Sequence, residues 1–87
     1  MSAAASSREE VLSVISEHLA DSLDLPLASI QESSRFREDL EADSLDLVEL
    51  VVELEDRYGI RIPEEDAAKI KTVGQSVDYV LEHVPVR

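Results

Sequence analysis

Between Ser44 and Tyr58 the hydrophobic positions fall into two helical stripes rather than one. Leu47, Leu50, Val51, Leu54 and Tyr58 recur at helical spacing and predict a buried face. Leu45, Val48 and Val52 form a second stripe, which a rotation of about 100° per residue carries well away from the first. A helix in a small domain needs only one stripe to join the core. Leaving the other three side chains in water forgoes roughly 1.5–3 kcal/mol each. Asp46, Glu49, Glu53 and Asp56 flank this second stripe. Two readings fit: a helix buried on both sides, or a docking surface whose apolar area gives affinity while its acids steer a basic partner.

The same periodicity predicts the rest of the chain. Ser6/Glu9 and Ser7/Glu10 both fit capping boxes for a first helix, with Val11, Leu12, Ile15 and Leu19 facing inward. That helix is expected to end near Ser22, because Leu25 precedes a proline. His18 reads as a solvated helix residue. Residues 23–43 form a connection long enough to be either functional or locally structured, with Leu25, Leu27, Ile30 and Phe36 as anchors. Gly59 supplies a helix stop. Ile60, Arg61 and Ile62 then run extended into Pro63, which is expected at the first position of a short helix led by Glu64, Glu65 and Asp66. Ala67, Ala68 and Ile70 are expected to face inward. Thr72/Gln75 is a further capping box, opening a last helix with Val73, Val77, Val80, Leu81 and Val84 inward. Tyr79 is expected at the core edge, and His83 near the negative end of that helix. The predicted fold class is all-α: a small helical bundle of three main helices plus one short helix, with a long loop after the first.

Eighty-seven residues make one domain with a single core. Residues 1–7 are expected to be a flexible N-terminus, 8–84 the folded domain and 85–87 a C-terminal tail. Phe36, Tyr58 and Tyr79 are the sequence's aromatic residues, so the core must be mostly Leu, Ile and Val. Without cysteine there is no disulfide and no intrinsic thiol, which leans toward the cytoplasm. A formal net charge of −12 argues against nucleic acid and anionic membranes and for basic protein partners. No apolar run approaches membrane-spanning length, and Met1–Ser7 lacks the charge and apolar centre of a signal peptide.

Candidate chemistry centres on Ser44. Ser44 and Asp43 can both cap the helix, and Asp43 through Asp46 forms an acidic version of the capping box. With Asp43 as cap, Ser44 stands in the first turn with its hydroxyl free. His18 and His83 lie far off in sequence and there is no cysteine, so no catalytic triad can be assembled around it. Ser44 therefore reads as a hydroxyl for another enzyme to modify. A calcium loop beginning at Asp39 fails, because its sixth and twelfth positions are Ser44 and Leu50 instead of Gly and Glu. No metal site is expected.

Asp39-Leu40, Asp43-Ser44-Leu45-Asp46 and Val48-Glu49-Leu50 closely resemble the acyl carrier proteins. The likeness continues through Ile62-Pro63-Glu64-Glu65-Asp66, Ala67-Lys69-Ile70, Thr72-Val73 and Asp78-Tyr79-Val80, and covers roughly residues 8 to 83. One departure is Glu41, where many fatty-acid carriers have Gly and others an acid. The resemblance implies a discrete carrier in which 4′-phosphopantetheine, taken from coenzyme A, is attached to Ser44 and carries acyl chains as thioesters for fatty acid biosynthesis. It implies no catalysis by the chain itself. Asp43, Leu45, Asp46, Val48, Glu49, Val52, Glu53 and Asp56 would dock partners. An acyl pocket would lie near Phe36, Leu54, Ile62, Ile70 and Tyr79. The implied partners are the holo-carrier-protein synthase (a phosphopantetheinyl transferase), malonyl transacylase, ketoacyl synthases, reductases and dehydratases, met by a cytoplasmic monomer without stable membrane association. A carrier for polyketide, nonribosomal peptide or other specialised transfer remains the nearest alternative. An acidic helical adaptor without a prosthetic group is a further one.

Overall fold

The computed structural model describes residues 7–84; the expected tail 85–87, most of the expected flexible start and the Ser6/Glu9 capping box lie outside them. The first helix, α1 (Arg8–Leu23), starts at the Ser7 cap. Glu10 N–H donates to Ser7 Oγ at 3.1 Å, and Ser7 N–H donates back to Glu10 Oε1 at 3.3 Å. Val11, Ile15 and Leu19 are completely buried, with Leu12 packed at the edge of the core. The helix runs past Ser22 to Leu23, because Asp24 turns left-handed (φ 57°) and sends its N–H to the Ala20 carbonyl. His18 departs from expectation: it is half-buried, with an Nε2 that is shielded from solvent and unpaired. It stands three residues after Ile15 and seven after Val11, which is the flank of the buried stripe.

The connection after α1 is structured. It makes a 3₁₀ turn at Leu27–Ser29 and buries Ile30, Phe36, Leu40 and Ala42. Leu27 is not an anchor; it is 51% exposed, because the 3₁₀ turn itself lies on the surface. The segment's backbone is satisfied by pairing with residues leading into the last helix. Phe36 N–H donates to the Lys71 carbonyl (3.0 Å), Val73 N–H to Ser34 (3.0 Å) and Gly74 N–H to Glu32 (2.8 Å). A Cβ on Gly74 would meet the Glu32 carbonyl oxygen at 3.1 Å, so glycine permits this close approach. Arg8 reinforces it from outside, donating to Glu32 and to Asp78. Before the second helix Glu41 is left-handed (φ 58°), an uncommon conformation for a non-glycine residue. The turn brings Ala42 N–H back to the Phe36 carbonyl at 2.8 Å.

Helix α2 (Ser44–Tyr58) opens on a reciprocal acidic box. Asp46 N–H donates to Asp43 Oδ1 at 3.0 Å, and Asp43 N–H donates to Asp46 Oδ2 at 2.9 Å. Leu50 and Leu54 are buried, with Leu47, Val51 and Tyr58 packed beside them. The helix stops at Gly59, left-handed with φ 65°. Ile60 and Ile62 are buried beyond it, and Ile62 N–H donates to Glu55 Oε2 at 2.8 Å, tying this strand-like segment back to α2.

Pro63 caps α3 (Glu64–Ala67) from outside instead of occupying its first position, because its ψ of 154° is extended. Ala67 and Ile70 pack against the core, but Ala68 is exposed: a helix of one turn cannot point all its small residues inward. The last helix, α4 (Val73–His83), is capped by Thr72 and Gln75 as expected, and Val73, Val77 and Val80 are completely buried. Tyr79 donates to Asp66 Oδ2 at 2.8 Å, linking α4 to α3. Desolvation, then that carboxylate, pushes its phenol up to about 12. His83 stacks on the Tyr79 ring at 3.9 Å. The architecture is a helical bundle in which α1 packs against both α4 and α2.

Two consequences can be measured. Leu54, 2% exposed, leaves a core cavity when shortened, so Leu54→Ala is expected to cost roughly 2–5 kcal/mol in a urea or thermal melt. The Asp43 carboxyl is held below its ordinary range, first by the Asp46 backbone N–H. A carboxylate whose folded pKa is depressed adds stability that is fully present above the unfolded value, 3.8, and is lost as pH falls through the folded value. Asp43→Asn keeps an oxygen for the cap but not the charge. Melts from about pH 6 to about pH 2 should therefore fall less steeply for Asp43→Asn than for the wild type.

Candidate functional site

The loop–helix corner presents Ser44 as the first residue of α2, exposed to solvent. Its hydroxyl is not the cap, since Asp43 fills that role. Ser44 Oγ instead accepts a hydrogen bond at 2.9 Å from Arg37 Nη2. Sequence reasoning gave Arg37 no role. It lies seven residues away on an irregular segment, and the turn at Glu41 brings it back to the corner.

From this corner the second stripe of α2 runs along the surface, with Leu45, Val48 and Val52 exposed at 64%, 57% and 49%. Among the described residues, then, α2 is buried on one side only. The acids around the stripe are not equivalent. Asp43 and Asp46 are engaged in the capping box, and Glu53 pairs with Arg57 at 3.0 Å. Glu49 and Asp56 are exposed and, among the described residues, form no ion pair. Those two carboxylates are therefore free of both caps and ion pairs among the described residues.

Behind the stripe lies an apolar cavity of about 470 Å³, within the usual range for small-ligand sites. Phe36, Leu50, Leu54, Ile62 and Ile70 line its interior, while Ser44 and Val48 stand on its exposed rim. Four of the five residues expected around a pocket are thus neighbours. Tyr79 is the exception; it is absent from the lining, and its hydroxyl bonds Asp66 and the Arg61 carbonyl. Glu55, also in the lining, was not foreseen; its carboxylate holds the Ile62 backbone. A second cavity of about 450 Å³ shares Phe36, Arg37, Leu47, Ala67, Ala68 and Ile70 with the first and is edged by Arg35 and Lys71.

Among the described residues no trio of His, Asp or Glu side chains converges to hold a metal ion, and no helix is long and apolar enough to cross a membrane. The corner does fit a phosphate-linked arm. It offers an exposed primary hydroxyl, a guanidinium donor beside it, and an apolar space that begins at the same residue.

Comparison with known proteins agrees. Residues 13–80 match the family model for the phosphopantetheine attachment site. The acyl carrier protein of Rubrobacter xylanophilus is 55% identical over 76 residues, covering 87% of this chain and 94% of that protein. That of Lactobacillus acidophilus is 46% identical over 77 residues, covering 88% and 96%. The solved structure of the Enterococcus faecalis acyl carrier protein superimposes with a TM-score of 0.76 at 39% identity, covering 88% of this chain and 98% of that one. The helical bundle, the exposed serine corner and these matches together establish that the chain belongs to the acyl carrier protein family, whose prosthetic group is phosphopantetheine.

Proposed function

We propose that Ser44 is the attachment point and that this chain carries growing acyl groups for fatty acid biosynthesis. The carrying observation is the exposed Ser44 hydroxyl at the head of α2, relieved of capping by Asp43 and adjacent to an apolar cavity. A separate transferase would join Ser44 Oγ to the phosphorus of coenzyme A that bears pantetheine. The bond to the nucleotide half breaks, and the hydroxyl proton leaves to the transferase. The bound group supplies the thiol that the cysteine-free chain lacks, and acyl groups ride on it as thioesters.

The chain's own residues do the rest, and none of them is a catalyst in this reading. Leu45, Val48 and Val52 give a small apolar contact, and Glu49 and Asp56 steer basic partners toward it. Asp43, Asp46 and Glu53 add to the same negative field while holding the helix. A carrier must leave each enzyme in turn, so charge-accelerated encounter with modest burial suits the task. The proposed partners are the holo-carrier-protein synthase, malonyl transacylase, ketoacyl synthases, reductases and dehydratases. A cytoplasmic monomer fits a small acidic chain without cysteine. Phe36, Leu54, Ile62 and Ile70 would shelter the acyl chain.

The test is intact mass after incubation with coenzyme A and a broad-specificity phosphopantetheinyl transferase. Wild-type protein should gain one phosphopantetheinyl group, and Ser44→Ala should gain none while its helical circular dichroism is unchanged. Glu49→Lys should melt within about 0.5 kcal/mol of the wild type, as ordinary surface changes do. At low salt it should nonetheless be modified more slowly, and with weaker salt dependence. Labelling of Ser44→Ala would refute the attachment site; a wild-type rate for Glu49→Lys would refute its docking role.

A further inference from the structure

The bond from Arg37 to Ser44 has a consequence for the modified protein. Arg37 Nη2 lies 2.9 Å from Oγ, the atom through which a phosphate ester on Ser44 would be linked. The non-bridging oxygens of such a diester are two bonds from Oγ. They therefore fall within the compass of a planar fork of donors that matches phosphate in shape and charge. Arg37 is in no ion pair among the described residues, and the one other charge it acts on is the Asp43 carboxylate at the same corner. The ion pairs among the described residues use Arg8, Arg35 and Arg57, and the side chain of Arg37 makes its hydrogen bond to Ser44 alone.

The competing donor is the N-terminus of α2, where the Asp43 carboxylate already faces the Leu45 and Asp46 amides and leaves that of Ser44. Asp43 Oδ1 takes the Asp46 N–H, and the Asp43 carbonyl takes the Leu47 N–H. The same Asp43 carboxylate, with Asp46 behind it, would repel a second anion at the corner. A diester placed there on a chain of net charge −12 needs a cation, and among the described residues Arg37 is the one in contact with the site.

We propose that Arg37 is a positioning residue for the prosthetic group, pairing with the phosphodiester on Ser44 and thereby fixing where the arm leaves the protein. This rests on Ser44 being the attachment site. Because Arg37 also lines the apolar cavity, the pairing anchors the arm's origin at the cavity rim.

The experiment compares each variant before and after modification, so that any effect of the substitution on folding cancels. Wild type, Arg37→Ala, Arg37→Lys and Lys71→Ala are each prepared in apo and holo form and melted at low and high salt. Lys71→Ala removes the same charge from a nearby exposed position whose side chain does not touch Ser44. The holo-minus-apo melting difference should be lower by about 2–4 °C in Arg37→Ala than in the wild type at low salt, the scale of one exposed ion pair in a domain this size. Lys71→Ala should match the wild type, and Arg37→Lys should lie between, since lysine keeps the charge and loses the fork. The gap should close in about 1 M salt. The phosphorus NMR resonance of the holo form should shift in Arg37→Ala and not in Lys71→Ala. An identical holo-minus-apo difference in wild type and Arg37→Ala would overturn the role of Arg37. A wild-type chain that gains no arm at Ser44 would overturn the attachment reading and this proposal with it.

Discussion

The structure depends on a short run of backbone pairing between an irregular segment and the head of the last helix. Residues 32–36 of the first connection bond to residues 71–74 at the head of α4, through the Phe36, Val73 and Gly74 amides. An irregular segment of this length crossing a small bundle carries many polar groups that must find partners. This pairing supplies several, and it seats Phe36, 2% exposed, in the core. From that fixed point the chain needs only the left-handed turn at Glu41 to deliver Arg37 and Ser44 to the same corner.

Helix α2 divides its labour by face. One face closes the core with Leu50 and Leu54; the other leaves Leu45, Val48 and Val52 in water, bordered by acids. The unfavourable exposure of three aliphatic side chains is tolerable because the core is otherwise complete, with α1 packed against both α2 and α4. A core of this composition also yields locally: only Phe36 contributes an aromatic ring to its fully buried part, and the remaining large side chains are aliphatic. The cavity behind the stripe is where that yielding composition meets the exposed serine.

Elements with a local signature were legible in the sequence. The capping boxes at Ser7, Asp43 and Thr72 each formed, Gly59 ended α2 with positive φ, and the two stripes of α2 separated into core and surface. What escaped were features set by tertiary geometry. Arg37 reaches Ser44 only because of the turn at Glu41, and Glu55 reaches Ile62 only because the chain reverses at Gly59. Leu27 and Ala68 look inward by hydrophobicity alone, but one sits on a single 3₁₀ turn and the other just past a one-turn helix, where burial is decided by what packs nearby. His18 is legible too, since its spacing from Val11 and Ile15 puts it on the flank of the buried stripe. Tyr79 was expected in the pocket and instead spends its hydroxyl on Asp66 and the Arg61 carbonyl.

If the exposed corner and the cavity behind it form one site, as proposed, an acyl chain carried at Ser44 withdraws between the helices. This is tested most directly by methyl NMR of the holo protein loaded with an octanoyl chain. The account predicts nuclear Overhauser contacts from the acyl methylenes to the methyl groups of Leu54, Ile62 and Ile70. The methyls of Val11 and Leu19, which are buried but do not line the cavity, should make none. Acyl contacts confined to Leu45, Val48 and Val52, with the interior methyl shifts unchanged from the unloaded holo protein, would contradict it.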